Sequence, residues 1–279
     1  MIKLGDVRVH VLSDGRFALD GGAIFGVVPR VLWEKTDPPD EKNRVTLALN
    51  IALVETAGQR ILVDTGVGDK WGEKERAMYR IDRSATLLAS LAALGLSAAD
   101  IDVVINTHLH FDHAGGNTRL VDGKPVPTFP RARYIVQLGE WEDATSPHER
   151  NRASYQEQNY LPLADARQLE TVQGETDVAP GVRVLPVGGH TAYHQLVIVS
   201  GGGEQLVIPT DLLPTASHLP LAYLMAYDLF PMGTLAAKRR LIHDAAEDGS
   251  TLLFYHDPRM ALGKLRLEKG KYVVKEVRP

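Results

Sequence analysis

The sequence predicts a mixed α/β chain. Three observations carry that reading: β-branched runs bounded by Gly, Asp or Pro recur along it, two segments carry helical periodicity, and each of those segments stops at a glycine. The strand-like runs fall at residues 7–12, 45–55, 60–64 and 101–106, then at 133–136, 182–187, 195–200, 205–209 and 251–255. Residues 84–94 place Leu87, Leu91 and Leu94 on one helical face and stop at Gly95. Residues 234–247 begin on Thr234, a good N-cap, and stop at Gly249. A polar stretch at 147–167, with Arg150, Arg152, Tyr155 and Tyr160, reads as a helical insertion. No Gly/Ser-rich or Pro-rich linker divides the chain, so residues 1–279 are expected to form one domain. An internal echo suggests that its core has two similar halves. Residues 53–66, LVETAGQRILVDTG, read strand, glycine turn, strand, Asp, and residues 197–211, VIVSGGGEQLVIPTD, repeat that order.

Composition narrows the chemistry. The 279 residues include no Cys, which removes thiolate metal sites, redox pairs, a Cys nucleophile and disulfides. Any metal must be held by nitrogen and oxygen. The balance of 31 basic against 35 acidic residues, net charge −4, gives no overall basic footprint for nucleic acid. The N-terminus alternates like a strand and lacks the apolar stretch of a signal peptide, and no run is long enough to cross a membrane. The expected partner is a small-molecule substrate, with neither nucleic acid nor membrane, in the cytoplasm.

The strongest signal is INTHLHFDHAGGN at residues 105–117. Given this chain's own His and Asp frequencies, the H-x-H-x-D-H pattern has a chance expectation on the order of 10⁻³. A strand at 101–106 delivers the segment, and in extended backbone His108 and His110 project to one side, toward one ion. Asp112 and His113 lie past the turn and reach toward a second. One loop cannot complete two coordination spheres, so further ligands are expected at later strand ends: His190 after Gly188-Gly189, Asp211 after the run at 205–209, and His256 after the run at 251–255. His194 reads as a supporting residue, and His10, His148 and His243 as ordinary core or surface histidines. Imidazole with carboxylate suits zinc, and equally Mn, Fe or Co.

Together, THLHFDHAGG, the Gly-His-Thr at His190, Asp211 and His256 resemble the metallo-β-lactamase superfamily of dinuclear hydrolases. The resemblance implies an αβ/βα four-layer sandwich. It further implies two divalent transition-metal ions, one on His108, His110 and His190, one on Asp112, His113 and His256, with Asp211 bridging and Asp64 buttressing. Three stretches, at 20–35, 211–232 and 254–258, resemble the YtnP-type branch of quorum-quenching lactonases, akin to methyl parathion hydrolase.

The reaction expected from this resemblance is opening of N-acyl-homoserine lactones by a metal-bridging hydroxide, with Asp211 and Asp112 assisting. An organophosphate or phosphodiester hydrolase on the same site is the alternative. A metal-binding protein without catalysis is the third reading. One departure matters. Lactonases of this kind carry a carbonyl-polarising Tyr three residues after the bridging Asp, and Pro214 stands there. His218 is the favoured substitute donor, with Tyr223 and Tyr227 as the others. The apolar, Gly-rich residues 20–33, including Ile24, Phe25, Leu32 and Trp33, read either as a segment buried under a neighbour or as a wall for an acyl chain, open to sharing across a homodimer.

Overall fold

Two seven-stranded sheets and one detached hairpin account for the strands of the structure, a computed structural model that describes residues 1–278. The first sheet begins with β1 (Ile2–Leu4), β2 (Val7–Asp20), β3 (Arg44–Thr56), β4 (Gln59–Val63) and β5 (Val103–Ile105). The hairpin of β6 (Thr118–Val121) and β7 (Lys124–Pro127) stands apart, and β8 (Arg133–Gln137) and β9 (Leu169–Val172) complete that sheet. The second sheet runs β10 (Thr176–Ala179), β11 (Val182–Pro186), β12 (Gln195–Gly201), β13 (Glu204–Ile208), β14 (Thr251–Leu253), β15 (Leu262–Glu268) and β16 (Lys271–Glu276). At the centre of each sheet an antiparallel hairpin, β3–β4 or β12–β13, is followed by a parallel partner, β5 or β14.

The central strands are apolar on both faces because both faces are buried. Ile61, Val63, Val103 and Ile105 of the first sheet meet Val197, Val199, Leu206 and Ile208 of the second in one inter-sheet core. The alternate residues point outward, as a two-residue side-chain period requires. Leu62 and Val104 pack beneath α4 (Leu87–Ala93), while Ile198, Val207 and Leu252 pack beneath α8 (Pro231–Asp248), through Leu91 on one helix and Leu241 and Ile242 on the other. Helix, sheet, sheet and helix therefore stack in the αβ/βα order that the motifs imply. The shorter helices are α1 (Gly21–Phe25), α2 (Arg30–Trp33), α3 (Glu73–Met78), α5 (Phe111–Ala114), α6 (Leu138–Thr145) and α7 (Leu161–Asp165).

Several boundaries shift for identifiable reasons. β2 continues eight residues beyond Leu12, because a register shift between Ser13 and Arg16 absorbs Gly15, at φ 89°, without ending the ladder. α4 starts at Leu87 because the Thr86 hydroxyl caps it, accepting from the Ala89 N–H at 3.1 Å. α8 starts at Pro231, whose missing N–H costs nothing in the first turn, so Thr234 lies inside the helix. β14 stops at Leu253 because the chain then crosses between sheets: the Asn50 and Ala48 N–H groups of β3 donate to Tyr255 O and His256 O at 2.9 and 3.0 Å.

The inter-sheet core sets stability, since a fully buried aliphatic side chain contributes about 1.5–3 kcal/mol over an exposed one. Leu206→Ala, in that core, is expected to cost about 2–5 kcal/mol of unfolding free energy, whereas Leu267→Ala, at an exposed position of β15, should stay within about 0.5 kcal/mol, both read from denaturant midpoints.

Candidate metal centre

Strand ends from both sheets deliver the candidate ligands to one edge. β5 ends at Ile105, the loop after it carries His108 and His110, and the single turn α5 carries Asp112 and His113. Gly115 and Gly116 let this loop close on residues 65–67: a Cβ at Gly116 would lie 2.3 Å from Thr65 O, and one at Gly115 2.3 Å from Val67 O. From the second sheet, Asp211 follows β13, His190 lies between β11 and β12, and His256 follows the crossing after β14. All seven side chains are buried.

They assemble as three overlapping groups whose ligand atoms lie within 4.8 Å of one another: His108, His110 and His190; His108, His113 and Asp211; and Asp112, His113 and His256. His110 Nδ1 faces His190 Nε2 at 3.1 Å. Asp211 stands between the two sides. Its Oδ2 lies 3.1 Å from His190 Nε2, while its Oδ1 lies 3.1 Å from His113 Nε2 and 3.3 Å from His256 Nε2. Asp112 Oδ2 approaches His256 Nε2 at 3.5 Å and His113 Nε2 at 3.8 Å.

The outer atoms of these rings are committed to the protein. His113 Nδ1 donates to Asp64 Oδ2 at 2.8 Å, His190 Nδ1 to Asp228 Oδ1 at 3.0 Å, and His256 Nδ1 to Ala48 O at 2.9 Å. Asp64 also accepts from the Thr107 hydroxyl and N–H, each at 2.8 Å, and Thr107 Oγ1 lies 3.2 Å from His108 Nδ1. One buried carboxylate thereby orients two histidines. It does so from left-handed backbone, φ 61°, a conformation that Asp tolerates better than most residues. Thr210, just before Asp211, is likewise left-handed at φ 40°, and its hydroxyl lies 2.8 Å from His194 Nε2, so His194 supports the turn.

Several atoms of the cluster are left without partners. His108 Nε2, His113 Nε2 and Asp211 Oδ1 are buried and make no hydrogen bond. Orphaned lone pairs of nitrogen and carboxylate oxygen, converging from several chain segments, fit divalent transition-metal ions. Charge follows the same logic. Burial, then the neighbouring imidazoles, hold His108 and His110 well below the usual histidine range, so both stay neutral. Burial would lower His113 too, but the carboxylates of Asp211, Asp112 and Asp64 hold it well above that range. Burial would raise Asp211, yet His113, His190 and His256 pull it well below an ordinary carboxylate.

His218 does not join the group. It is buried in a stack on Phe25, with ring centroids 4.7 Å apart, and Trp33 covers the other side of Phe25 at 5.1 Å. Its Nε2 donates to Ile24 O at 3.0 Å and its Nδ1 accepts from the Thr215 hydroxyl at 2.8 Å. Both nitrogens are spent, so the expected substrate donor is instead an anchor for the 20–33 segment. Burial lowers its pKa to about 4.

A cavity reaches the cluster past an apolar wall of Leu19, Ile24, Leu47, Phe111 and Met225. Of the donors considered from the sequence, Tyr227 lines this cavity, and Tyr79, which the sequence did not single out, lines it too. Among the described residues, no Lys or Arg lines it. Asp228, Thr107 and Thr210 also escaped the sequence reading, although the last two neighbour His108 and Asp211. Lys238 was equally hidden: buried on α8, its Nζ donates to Pro220 O and Tyr223 O at 3.0 and 2.7 Å, holding the segment that carries Met225 and Tyr227.

Paired His/Asp groups of this design at one edge of a double-sheet fold define a metal-dependent hydrolase. The chain belongs to the metallo-beta-lactamase superfamily, whose family model matches residues 46–256. The N-acyl homoserine lactonase of Bacillus cereus is 28% identical over 178 residues, a match that spans 60% of this chain and 64% of that one, just under two thirds of the relative's length. A probable metal-dependent hydrolase from Staphylococcus aureus superposes with a TM-score of 0.91 over the full length of both chains, at 31% identity. AidC, a dizinc quorum-quenching lactonase solved with a product, N-hexanoyl-L-homoserine, superposes with a TM-score of 0.81 over all of this chain and 97% of its own; at 22% identity it shares the fold.

The anchoring role of His218 has a pH signature. Its folded pKa of about 4 lies below the usual 6.5, so as pH falls the unfolded chain takes up the proton first and stability is lost between about 6.5 and about 4. Relative to the wild type, His218→Gln should lose about 2 kcal/mol less between pH 7 and pH 5, read from urea midpoints of metal-loaded protein.

Proposed function

We propose that this hydrolase is a lactonase that opens N-acyl-homoserine lactones, a quorum-quenching reaction, with two zinc ions at the His/Asp cluster. The observation that carries the proposal is the shape of the approach: an apolar wall, suited to an acyl chain, leads to a cluster lined by carboxylates and imidazoles and by no cation of the protein. Resemblance to the Bacillus lactonase supports the same choice.

When bound, two ions supply a water acidified toward neutrality and polarise the carbonyl of the substrate. The protein supplies the rest. His108, His110 and His190 would hold one ion, Asp112, His113 and His256 the other, and Asp211, with one oxygen toward each side, would bridge them. Asp112 lines the cavity, where a carboxylate oxygen accepts the proton of the attacking water and returns it to the leaving alkoxide. Pro214 offers no donor for the carbonyl. Tyr227 does: it lines the cavity, and the partial desolvation it meets there, then the Asp112 carboxylate, push its phenol up to about 12, so it stays protonated at neutral pH. It takes the place that His218 cannot.

Two measurements check this reading. With metal content held constant, kcat/KM for short and long acyl-homoserine lactones should exceed that for paraoxon and bis-(p-nitrophenyl) phosphate; phosphoesters turned over orders of magnitude faster than every lactone would replace the lactonase by an organophosphate hydrolase. Tyr227→Phe should lower kcat on lactones by roughly 10²-fold or more at unchanged thermal stability, the loss typical of one electrophilic donor. A change confined to KM would leave Tyr227 as wall only.

A further inference from the structure

One buried acidic side chain outside the ligand set touches several ligand-bearing segments at once. Glu140 lies in the first turn of α6 and is fully buried. Its Oε1 accepts the Leu109 N–H at 3.0 Å and the Tyr155 hydroxyl at 2.9 Å, and its Oε2 accepts the Thr191 hydroxyl at 2.6 Å. Leu109 lies between His108 and His110, and Thr191 follows His190. Tyr155 packs its ring edge-on to that of His110, centroids 5.0 Å apart, and bridges His110 through the backbone. Every one of these donors neighbours or leans on the group of His108, His110 and His190, of which His108 also stands within reach of His113 and Asp211.

The placement is a consequence of topology. β8 lies parallel to β5, so the start of α6 stands directly beside the loop that β5 releases. Thr191 arrives from the other sheet, just ahead of β12, where the Gln195 side-chain amide donates to Asn106 O at 2.8 Å. Glu140 therefore spans the seam between the sheets, at the point where His110 Nδ1 and His190 Nε2 are held 3.1 Å apart. A carboxyl group buried with nothing to bond would cost several kcal/mol, but three directional donors satisfy this one.

We propose that Glu140 is a positioning residue for the first ion only: it ties the 107–110 and 190–191 segments at the spacing their imidazoles need, and the second ligand group does not depend on it. The proposal rests on the two-ion reading of the centre. Its chemistry is that of hydrogen bonds and not of charge, so glutamine should serve. The amide introduced by Glu140→Gln would keep an oxygen for Leu109 and Tyr155 and turn its N–H toward the Thr191 hydroxyl, which can accept.

The test is a Co(II) titration of metal-free protein followed by visible absorption, with His190→Ala and His256→Ala giving the spectra of chains that have lost one side or the other. Wild type should take up two equivalents. Glu140→Leu and Thr191→Val should weaken one equivalent by roughly 10- to 100-fold, as loss of a group that orients a ligand does, and leave the other unchanged. Their singly loaded spectrum should match that of His190→Ala and differ from that of His256→Ala, and Glu140→Gln should retain both equivalents. Should Glu140→Leu fail to fold, Thr191→Val and Glu140→Gln carry the test. Two tight equivalents in Thr191→Val, both equivalents weakened together, or Glu140→Gln falling as far as Glu140→Leu would each overturn the proposal while leaving the centre itself intact. A wild type that takes up no cobalt would remove the two-ion reading, and this proposal with it.

Discussion

Seven ionisable side chains converge, each buried, and much of the architecture follows from making that tolerable. A buried imidazole or carboxylate is costly unless its polar atoms are satisfied. The solution is a division of each group into an outer and an inner side. The outer nitrogens of His113, His190 and His256 donate to Asp64, Asp228 and Ala48, and His108 reaches Asp64 through Thr107. On the inner side, His108 Nε2, His113 Nε2 and Asp211 Oδ1 make no hydrogen bond. Strain is accepted for the same end: the two acidic turns, at Asp64 and at Thr210-Asp211, carry left-handed residues where the chain leaves a strand and must aim a carboxylate back along the sheet edge.

That edge exists because two sheets stop together. The inter-sheet core of Val, Ile and Leu leaves each central strand only one register in which both faces are buried, so the ends of β5 and β13 and the crossing after β14 are placed relative to one another by packing. His256 shows the coupling most directly. Its strand belongs to the second sheet, but its own carbonyl and ring bond to Ala48 in β3 of the first. The candidate ligand set is thus a joint product of the sheets, and neither could supply it alone.

This explains which parts were legible in the sequence. The H-x-H-x-D-H segment is local, so its residue types can be read where they stand, and the structure brings His190, Asp211 and His256, each after an apolar run, to the same place. The central strands were legible as continuous β-branched stretches. Pairs such as β15–β16, half exposed and rich in Lys and Glu, carry no such signal. The placement of His218 departs from the expectation for a related reason. A Pro-bounded loop says nothing about a ring stacked on Phe25, a contact that joins distant parts of the chain and exists only after folding. Glu140, Lys238 and Asp228 were hidden likewise, since a buried charged residue is indistinguishable in sequence from a surface one until its partners are known.

The apolar wall of the cavity and the candidate metal centre would be separable if chemistry sat on strand ends and selectivity on loops. Here one segment serves both. Residues 225–230 contribute Met225 and Tyr227 to the cavity, and the same segment carries Asp228, which orients His190. Its backbone runs alongside that histidine, with Leu229 N donating to His190 O at 3.0 Å and Phe230 N to Gly189 O at 2.9 Å. Arg150 clasps it through Ala226 O and Asp228 O, and Lys238 holds its approach through Pro220 O and Tyr223 O. A substitution that moves Met225 or Tyr227 by shifting this backbone must also move the carboxylate behind His190. Along 225–230, therefore, any backbone shift couples the apolar wall of the cavity to the orientation of His190.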